Sequence, residues 1–350
     1  MTRPRIKDVA RRAGVSEKTV SNVLNNYVHV SERTRQVVRE AIEELGYRVN
    51  LAGRHLRRGR TGIIALVVPE FDLPYFAELA AHVIREAEQR SLTVLVHQTG
   101  GDRDRELAAL AGFGSDFADG VILSSLALTP RDLEERDGSL PVVLLGELLE
   151  EGADHVAIDN EAAAREATAH LLQLGRRDIL VLGGRDAPRS AGTAEVRTRG
   201  YRAALAAAGL PYDPASVRPV PKWRTPDGAA AVAGVLAEGR RPDALLCLND
   251  QLALGALRAL HEHGLAVPDD VAVVGFDDVD AGRFSVPTLT TVAPDKTAVA
   301  RAAVELLTRR IEEASSSGGA AGQRPAAEQS PQDRVVPHRL VIRESTGGAA

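Results

Sequence analysis

From residue 61 onward the chain alternates unbroken apolar runs with segments of helical period, and no other property restricts its fold so tightly. GIIALVVP is followed by YFAELAAHVIREAEQR, then by TVLVHQT and GVILSS. The second half repeats the scheme with an alanine-rich helix around Glu161–Leu174, the run DILVLGG, a helix from Val196 to Ala208, and DALLCLND. Runs of Val, Ile and Leu that do not alternate with polar residues are buried on both faces, so they belong to parallel sheets covered by helices. About 290 residues exceed one compact core, which predicts two lobes. Ligands in such sheets bind beyond the carboxyl ends of the strands, and two facing lobes turn those ends into a cleft.

The first sixty residues differ in kind. They carry 14 Lys+Arg against 6 Asp+Glu, a net of +8 in a chain of −5, which leaves −13 on the rest. A basic module joined to an acidic body is the electrostatic footprint of nucleic-acid binding. Within it, Ile6–Asn25 reads IKDVARRAGVSEKTVSNVLN. Ile6, Val9, Ala10 and Ala13 share one side of a first helix, Gly14 suits a left-handed turn, and Ser16 suits the cap of a second helix. In that second helix Val20, Val23 and Leu24 face inward, while Glu17, Ser21 and Asn25 form a polar stripe flanked by Lys18 and Asn22. A helix of hydrogen-bonding side chains held at a fixed angle by a short turn is what a major groove accepts. A third helix is expected between the cap Ser31 and the stop Gly46, with Thr34, Val38, Ala41, Ile42 and Leu45 inward.

These segments, followed by LAGRHLRRGRTGIIALVVP, PYFAEL, HVAIDN, VRTRGY, LCLNDQLALGALRAL, VPDDVAVVGFDDV and PTLTTVAPD in that order, resemble the lactose/galactose repressor family of bacterial transcription regulators over nearly the whole chain. The resemblance implies an all-α helix-turn-helix headpiece joined to a two-lobed α/β domain with parallel sheets, of the periplasmic-binding-protein type. It implies base contacts at Glu17, Lys18 and Asn22, and phosphate contacts near Ser16, Thr19, Ser21, Asn25, His29, Ser31 and Thr34. Lys18 can donate to guanine and Asn22 can pair with adenine through two bonds. Glu17 can accept from cytosine, filter by repelling phosphate, or simply favour the helix start as a first-turn carboxylate. In NLAGRHLRR the resemblance makes Asn50 a cap and Leu56 a wedge in the minor groove, against the alternative of a basic linker. Gly53 stands where helix-favouring residues are common in the family.

For the cleft, the resemblance and strand-end positions together select Tyr75, Phe76, Ser125, Arg197, Trp223, Asn249 and Asp277 as effector contacts. An aromatic face, a carboxylate, an amide and a forked guanidinium suit a sugar ring. A neutral sugar is therefore the expected effector, with a nucleobase, an acidic metabolite or a vestigial cleft as alternatives. Gly146–Glu147 stands where some relatives place a ligand-binding aspartate, and Arg185 and Arg189 add positive charge nearby.

The chain has no GxGxxG after a strand, no GxxxxGK[ST], no HExxH and no GxSxG, which argues against an enzyme, and no cofactor or metal is expected. Its single cysteine, Cys247, lies in an apolar run and cannot form an internal disulfide. With no signal peptide and no apolar run of 18 residues, a soluble cytoplasmic protein is expected. The tail GGAA lacks a leucine repeat, so a homodimer on a palindromic double-stranded operator is expected. The expected organisation is a headpiece over 1–49, a hinge over 50–60, a first lobe from 61–161 plus 292–314, a second from 162–291 plus 332–345, and a flexible low-complexity loop over 315–331.

Overall fold

The computed structural model describes residues 4–24, 27, 29–47, 60–114, 117–136, 138, 140–147, 152–187, 192–317 and 330–348. It divides into two compact units, Met1–Arg60 and Thr61–Ala350.

The first unit has the helices α1 (Ile6–Ala13), α2 (Glu17–Leu24) and α3 (Glu32–Leu45). Gly14 ends α1 at φ +66, and the Val15 N–H returns to the Ala10 carbonyl at 3.0 Å, which turns the chain within three residues. Ser16 Oγ accepts the Thr19 N–H at 3.1 Å and Ser31 Oγ accepts that of Thr34 at 3.3 Å, so each serine satisfies a donor the helix start leaves unpaired. Val9, Ala10, Val20, Val23, Val38 and Ala41 form the buried core, with Ile6, Ala13, Ile42 and Leu45 packed around it. These are the positions whose helical spacing marks them in the sequence.

The second unit contains two six-stranded sheets. The strands are β1 (Ile63–Val68), β2 (Thr93–Gln98), β3 (Gly120–Ser124), β4 (Val142–Leu145), β5 (Asp154–Ile158), β6 (Ile179–Leu182), β7 (Val217–Arg218), β8 (Ala244–Cys247), β9 (Ala272–Phe276), β10 (Thr290–Pro294), β11 (Asp333–Val336) and β12 (His338–Val341). The orders are β11-β5-β4-β3-β1-β2 and β12-β10-β9-β8-β6-β7, and every pairing is parallel except β10 with β12. Alternate residues of one strand enter different cores. Ile179 and Val181 join one hydrophobic cluster with Ala163 and Tyr201, whereas Leu180 and Leu182 join another with Leu252 and Leu260. That division explains the uninterrupted apolar runs of the central strands, where neither face meets water, whereas the edge strand β2 is partly exposed, with Leu95 facing outward.

The lobe boundaries expected from the sequence need correction at the carboxyl side. Val292–Pro294 complete β10 in the second sheet, so only the helix Lys296–Ser317 returns to the first lobe, where it packs on Pro74–Glu88 and β3–β5. The same helix carries regular structure to Ser317, so the first three residues of the expected low-complexity loop are helical. The segment 332–345, expected wholly in the second lobe, is split between the two: β11 pairs with β5 of the first sheet, and β12 pairs with β10 of the second. Pro337 separates them; it has no N–H for a ladder, and its carbonyl accepts the Asp295 N–H at 3.1 Å beside the neighbouring crossing. The chain thus passes between the lobes three times, near residues 159, 295 and 337.

Candidate functional site

The amino-terminal unit presents its polar residues on α2. Glu17 and Lys18 are exposed, and Ser21 and Asn22 are half-buried beside them. The hydroxyls of Ser16 and Thr19 meet at 2.9 Å at the start of α2, and those of Ser31 and Thr34 at 2.8 Å at the start of α3. Each pair therefore sits where backbone N–H groups and the helix dipole also face outward, an arrangement suited to a phosphate oxygen. His29 is exposed and stacks edge-on against Tyr27, with ring centres 5.3 Å apart. Asn25, Asn50, Gly53, Leu56 and Arg189 lie outside the described residues.

In the second unit the carboxyl ends of the strands from both sheets converge on Arg197. Arg197 is 7 % exposed, and two of its nitrogens are engaged within the chain: Nε donates to Asn160 Oδ1 at 2.9 Å and Nη1 donates to the Leu248 carbonyl. The guanidinium lies over the Phe276 ring, 3.4 Å from its centre, and 5.8 Å from that of Trp223. Burial pulls Arg197 below its ordinary value, while the charges of Asp277 and Glu147 pull the other way. Asn249 caps the helix Asp250–Glu262 by accepting the Leu252 N–H at 2.8 Å, and its amide donates to the Trp223 carbonyl at 2.9 Å. That bond fixes the loop carrying the tryptophan.

Asp277 follows β9 in a backbone conformation at φ +113, and Asp278 next to it is at φ +47. Non-glycine residues adopt this region at a cost, and it is held here because the Asp277 N–H donates to Val292 at 2.8 Å and Asp278 is clasped by Arg343 at 2.6 Å and Arg283 at 2.9 Å. Burial drives the Asp277 carboxyl up to about 6, against the opposing pull of Arg197. Beneath it, Asp250 is wholly buried; it accepts the Val279 N–H at 2.8 Å and the Thr291 hydroxyl at 2.6 Å. Burial and the Asp277 charge push its carboxyl well above the ordinary range. β9 passes so close that a Cβ on Gly275 would lie 2.2 Å from Asp250 Oδ1, so only glycine serves there.

The first lobe contributes aromatic rings and one acid. Tyr75 and Phe76 stand edge to face with centres 5.2 Å apart at the start of the helix Pro74–Glu88. Burial and the nearby Asp277 charge raise the Tyr75 phenol, which is neutral at any physiological pH. Ser125 is placed differently from the sequence expectation. Its hydroxyl donates to the buried Glu106 at 2.7 Å and accepts the Leu128 N–H at 3.1 Å, so its one proton shapes a turn and is not available to a ligand. Arg185 uses its backbone N–H on Thr198 Oγ1 at 3.2 Å, next to the loop it was expected to charge. Cys247 is buried, and burial pushes its thiol up, in keeping with an inert apolar role.

Sequence reasoning overlooked the contacts that bind one lobe to the other. Arg224, one residue past Trp223, reaches across to Asp72 at 2.7 Å and to Glu70. Lys296 Nζ bonds Glu78 Oε2 at 2.5 Å and the Asp278 carbonyl at 3.0 Å, while the Asp280 N–H donates to Glu78 Oε1 at 3.1 Å. Asn160 closes the motif HVAIDN, which by itself singles out none of its residues for the cleft. The usable signal was position alone: each of these residues adjoins a strand end or a lobe crossing.

Two family models match the chain: bacterial regulatory proteins, lacI family, over residues 5–50, and a periplasmic binding protein-like domain over residues 168–346. The chain is 31 % identical to the ribose operon repressor of Halalkalibacterium halodurans, over 98 % of this chain and 97 % of that one. It is 33 % identical to a solved complex of the transcriptional regulator CelR with cellobiose, with a TM-score of 0.68 over 98 % of this chain and 100 % of that one. It is 27 % identical to the Lac repressor dimer solved with operator and the anti-inducer ONPF, with a TM-score of 0.78 over 99 % of both chains. Matched end to end by such relatives, and carrying both the recognition helices and the lobed body, the chain belongs to the lacI family of bacterial regulatory proteins and is a DNA-binding transcriptional regulator, not an enzyme.

Proposed function

We propose that the protein is a homodimeric repressor acting in the cytoplasm, that α2 reads a roughly palindromic operator, and that a neutral sugar in the cleft sets its grip on that operator. The observation that carries the effector half is the convergence of Arg197, Asp277, Asn249, Trp223 and Tyr75 on one buried place at the strand ends. A carboxylate, an amide and aromatic faces match the hydroxyl edges and the apolar face of a pyranose or furanose ring. Relatives named for ribose and solved with cellobiose support a saccharide.

For DNA, Lys18 and Asn22 supply base-reading groups, with Glu17 between cytosine readout and a screening role, and the serine and threonine hydroxyls of α2 and α3 supply backbone anchors. The Lac repressor neighbour, a dimer on its operator, supports two-fold reading. Among the described residues no helix is long and apolar enough to cross a membrane. The cross-lobe contacts of Arg224 and Lys296 are the bistable element: an effector that favours closure shifts the population of the closed body. The coupling to operator affinity is expected at about 1–3 kcal/mol. Titration of a labelled palindromic operator against salt should give a steep linear log–log slope; a flat response would remove the DNA role. Adding the sugar that stabilises the protein should then move that binding curve, and a curve that stays put would make the cleft vestigial.

A further inference from the structure

Two neighbouring arginines near the carboxyl end of the helix Lys296–Ser317 are built alike and used differently. Arg310 turns the Nε–Nη2 edge of its fork onto Asp154, donating to both carboxylate oxygens at 2.8 Å. Asp154 also accepts the Gln332 N–H at 2.8 Å, so its oxygens are taken. Arg309 has the same two nitrogens, Nε and Nη2, buried without a hydrogen-bond partner among the described residues. Glu313 comes within 3.8 Å of Arg309 Nε, beyond hydrogen-bonding reach, and its other oxygen accepts from Arg310 Nη1 at 3.4 Å. That edge of a guanidinium matches two oxygens of one carboxylate or phosphate. On Arg310 it is filled; on Arg309 it is empty.

The charge around that edge is positive. Arg136 donates to the carbonyls of Leu140 and Gly152 at 3.1 Å each, so these bonds go to neutral oxygens. Burial pulls Arg136 below its ordinary value, opposed by the charge of Asp154, on which Arg309 and Arg310 also act. Three guanidinium groups thus face two carboxylates, those of Asp154 and Glu313, and Glu313 is partly exposed. The place is the end of the first lobe remote from the cleft: Asp154 opens β5, and Gly120 at the start of β3 lies against Leu307 of the same helix. The chain enters the lobe at this end too, where the Thr61 and Gly62 N–H groups donate to the Asp119 carboxylate at 2.6 and 2.7 Å. Buried donors left unpaired cost stability, so an oxygen that meets them is favoured. The Arg309 side chain is 33 % exposed, and a torsional swing brings its edge to an arriving anion.

We propose that Arg309 anchors an oxyanion site at the amino end of the first sheet, separate from the cleft, which takes a phosphate group on the Nε–Nη2 edge within the positive field of Arg136 and Arg310. A phosphate carries about twice the charge of a carboxylate at neutral pH and has more acceptor oxygens, so it gains more from this field. Glu313 at the rim opposes an anion, but its exposure to water screens that repulsion. The phosphate is either free, as the inorganic ion or on a small metabolite, or part of the operator backbone; the recognising chemistry is the same. The site gives the regulator an input independent of its effector cleft.

The test is thermal melting of the full-length protein in inorganic phosphate against chloride at equal ionic strength. Phosphate also stabilises folded proteins by exclusion from their surface, so the readout is the difference between the parent and Arg309→Gln. At about ten times its dissociation constant, phosphate should raise the parent's melting temperature by about 2–3 °C more than the variant's. Arg309→Lys keeps the charge and loses the fork, so it should behave like Arg309→Gln. Operator titration against chloride in phosphate-free buffer separates the two sources. A log–log slope shallower by about one in Arg309→Gln assigns the edge to a backbone phosphate. An equal slope, with the melting difference kept, assigns it to a free ion. The proposal is overturned if parent and variants shift equally and share one slope, or if Arg309→Lys keeps the parent's full shift.

Discussion

The two lobes share one architecture but bring different things to the cleft. In the second lobe the polar groups are bonded to each other before any ligand arrives: Arg197 to Asn160 and Leu248, Asn249 to the Trp223 loop, Asp250 to Val279 and Thr291 beneath Asp277. In the first lobe Tyr75 and Phe76 offer ring faces, and Glu147 holds an oxygen with no hydrogen-bond partner among the described residues. One half is a finished template and the other an unsatisfied cover. The physical lesson is that preorganisation lowers the entropy cost of the first ligand contacts, while an unmet acceptor opposite makes closure depend on the ligand.

The contrast can be broken most forcefully at Arg197. Arg197→Ala should cost about 3 kcal/mol in urea unfolding, since a removed partner leaves buried polar groups uncompensated. A variant as stable as the parent would mean that the second lobe is not held by this network. Gly275→Ala tests the layer beneath. With Asp250 Oδ1 in the way, the added methyl should cost about 2 kcal/mol by overpacking, read in the same experiment.

Acidity sharpens the comparison next. Asp277 keeps its proton up to about pH 6, against an ordinary 3.8, so between these values the folded protein holds a proton that the unfolded chain has released. Its ionisation therefore costs stability above pH 6, and that cost vanishes as the pH falls toward 4. Effector hydroxyls favour the ionised form, so effector affinity should run the opposite way, falling about tenfold between about pH 7 and pH 5. Calorimetry across that window would show it, and an affinity independent of pH would separate Asp277 from the ligand. The smallest effect is expected at the lobe contact of Arg224, which is over a third exposed in its side chain and screened by water. Arg224→Ala should leave the unfolding energy within about 0.5 kcal/mol while shifting operator affinity a few-fold, measured by fluorescence anisotropy.

Much of this was legible in order along the chain. Helical spacing placed Val9, Val20 and Val38 in one small core, and the caps Ser16 and Ser31 and the stops Gly14 and Gly46 all act within a few residues of themselves. Continuous apolar runs announced sheets buried on both faces, because each strand must feed two cores. Of the seven expected cleft residues, Ser125, Asn249 and Asp277 lie within two residues of strand ends, the others lie in the loops and helix starts that follow strands, and Ser125 spends its hydroxyl on Glu106. Position along a strand tells where a side chain begins, not which neighbour claims it.

What the sequence determined alone were features set by neighbours within about a turn of helix or a strand length: element type, caps, turn glycines and the charge division between headpiece and body. Only the tertiary structure decided the partners of Arg197 at residues 160 and 248, the reach of Arg224 to residue 72, and the crossing at Pro337 that sends β11 and β12 to different lobes. Those contacts join residues tens to more than a hundred positions apart, and hydrogen bonds of that kind leave no periodic trace because nothing in the local backbone depends on them.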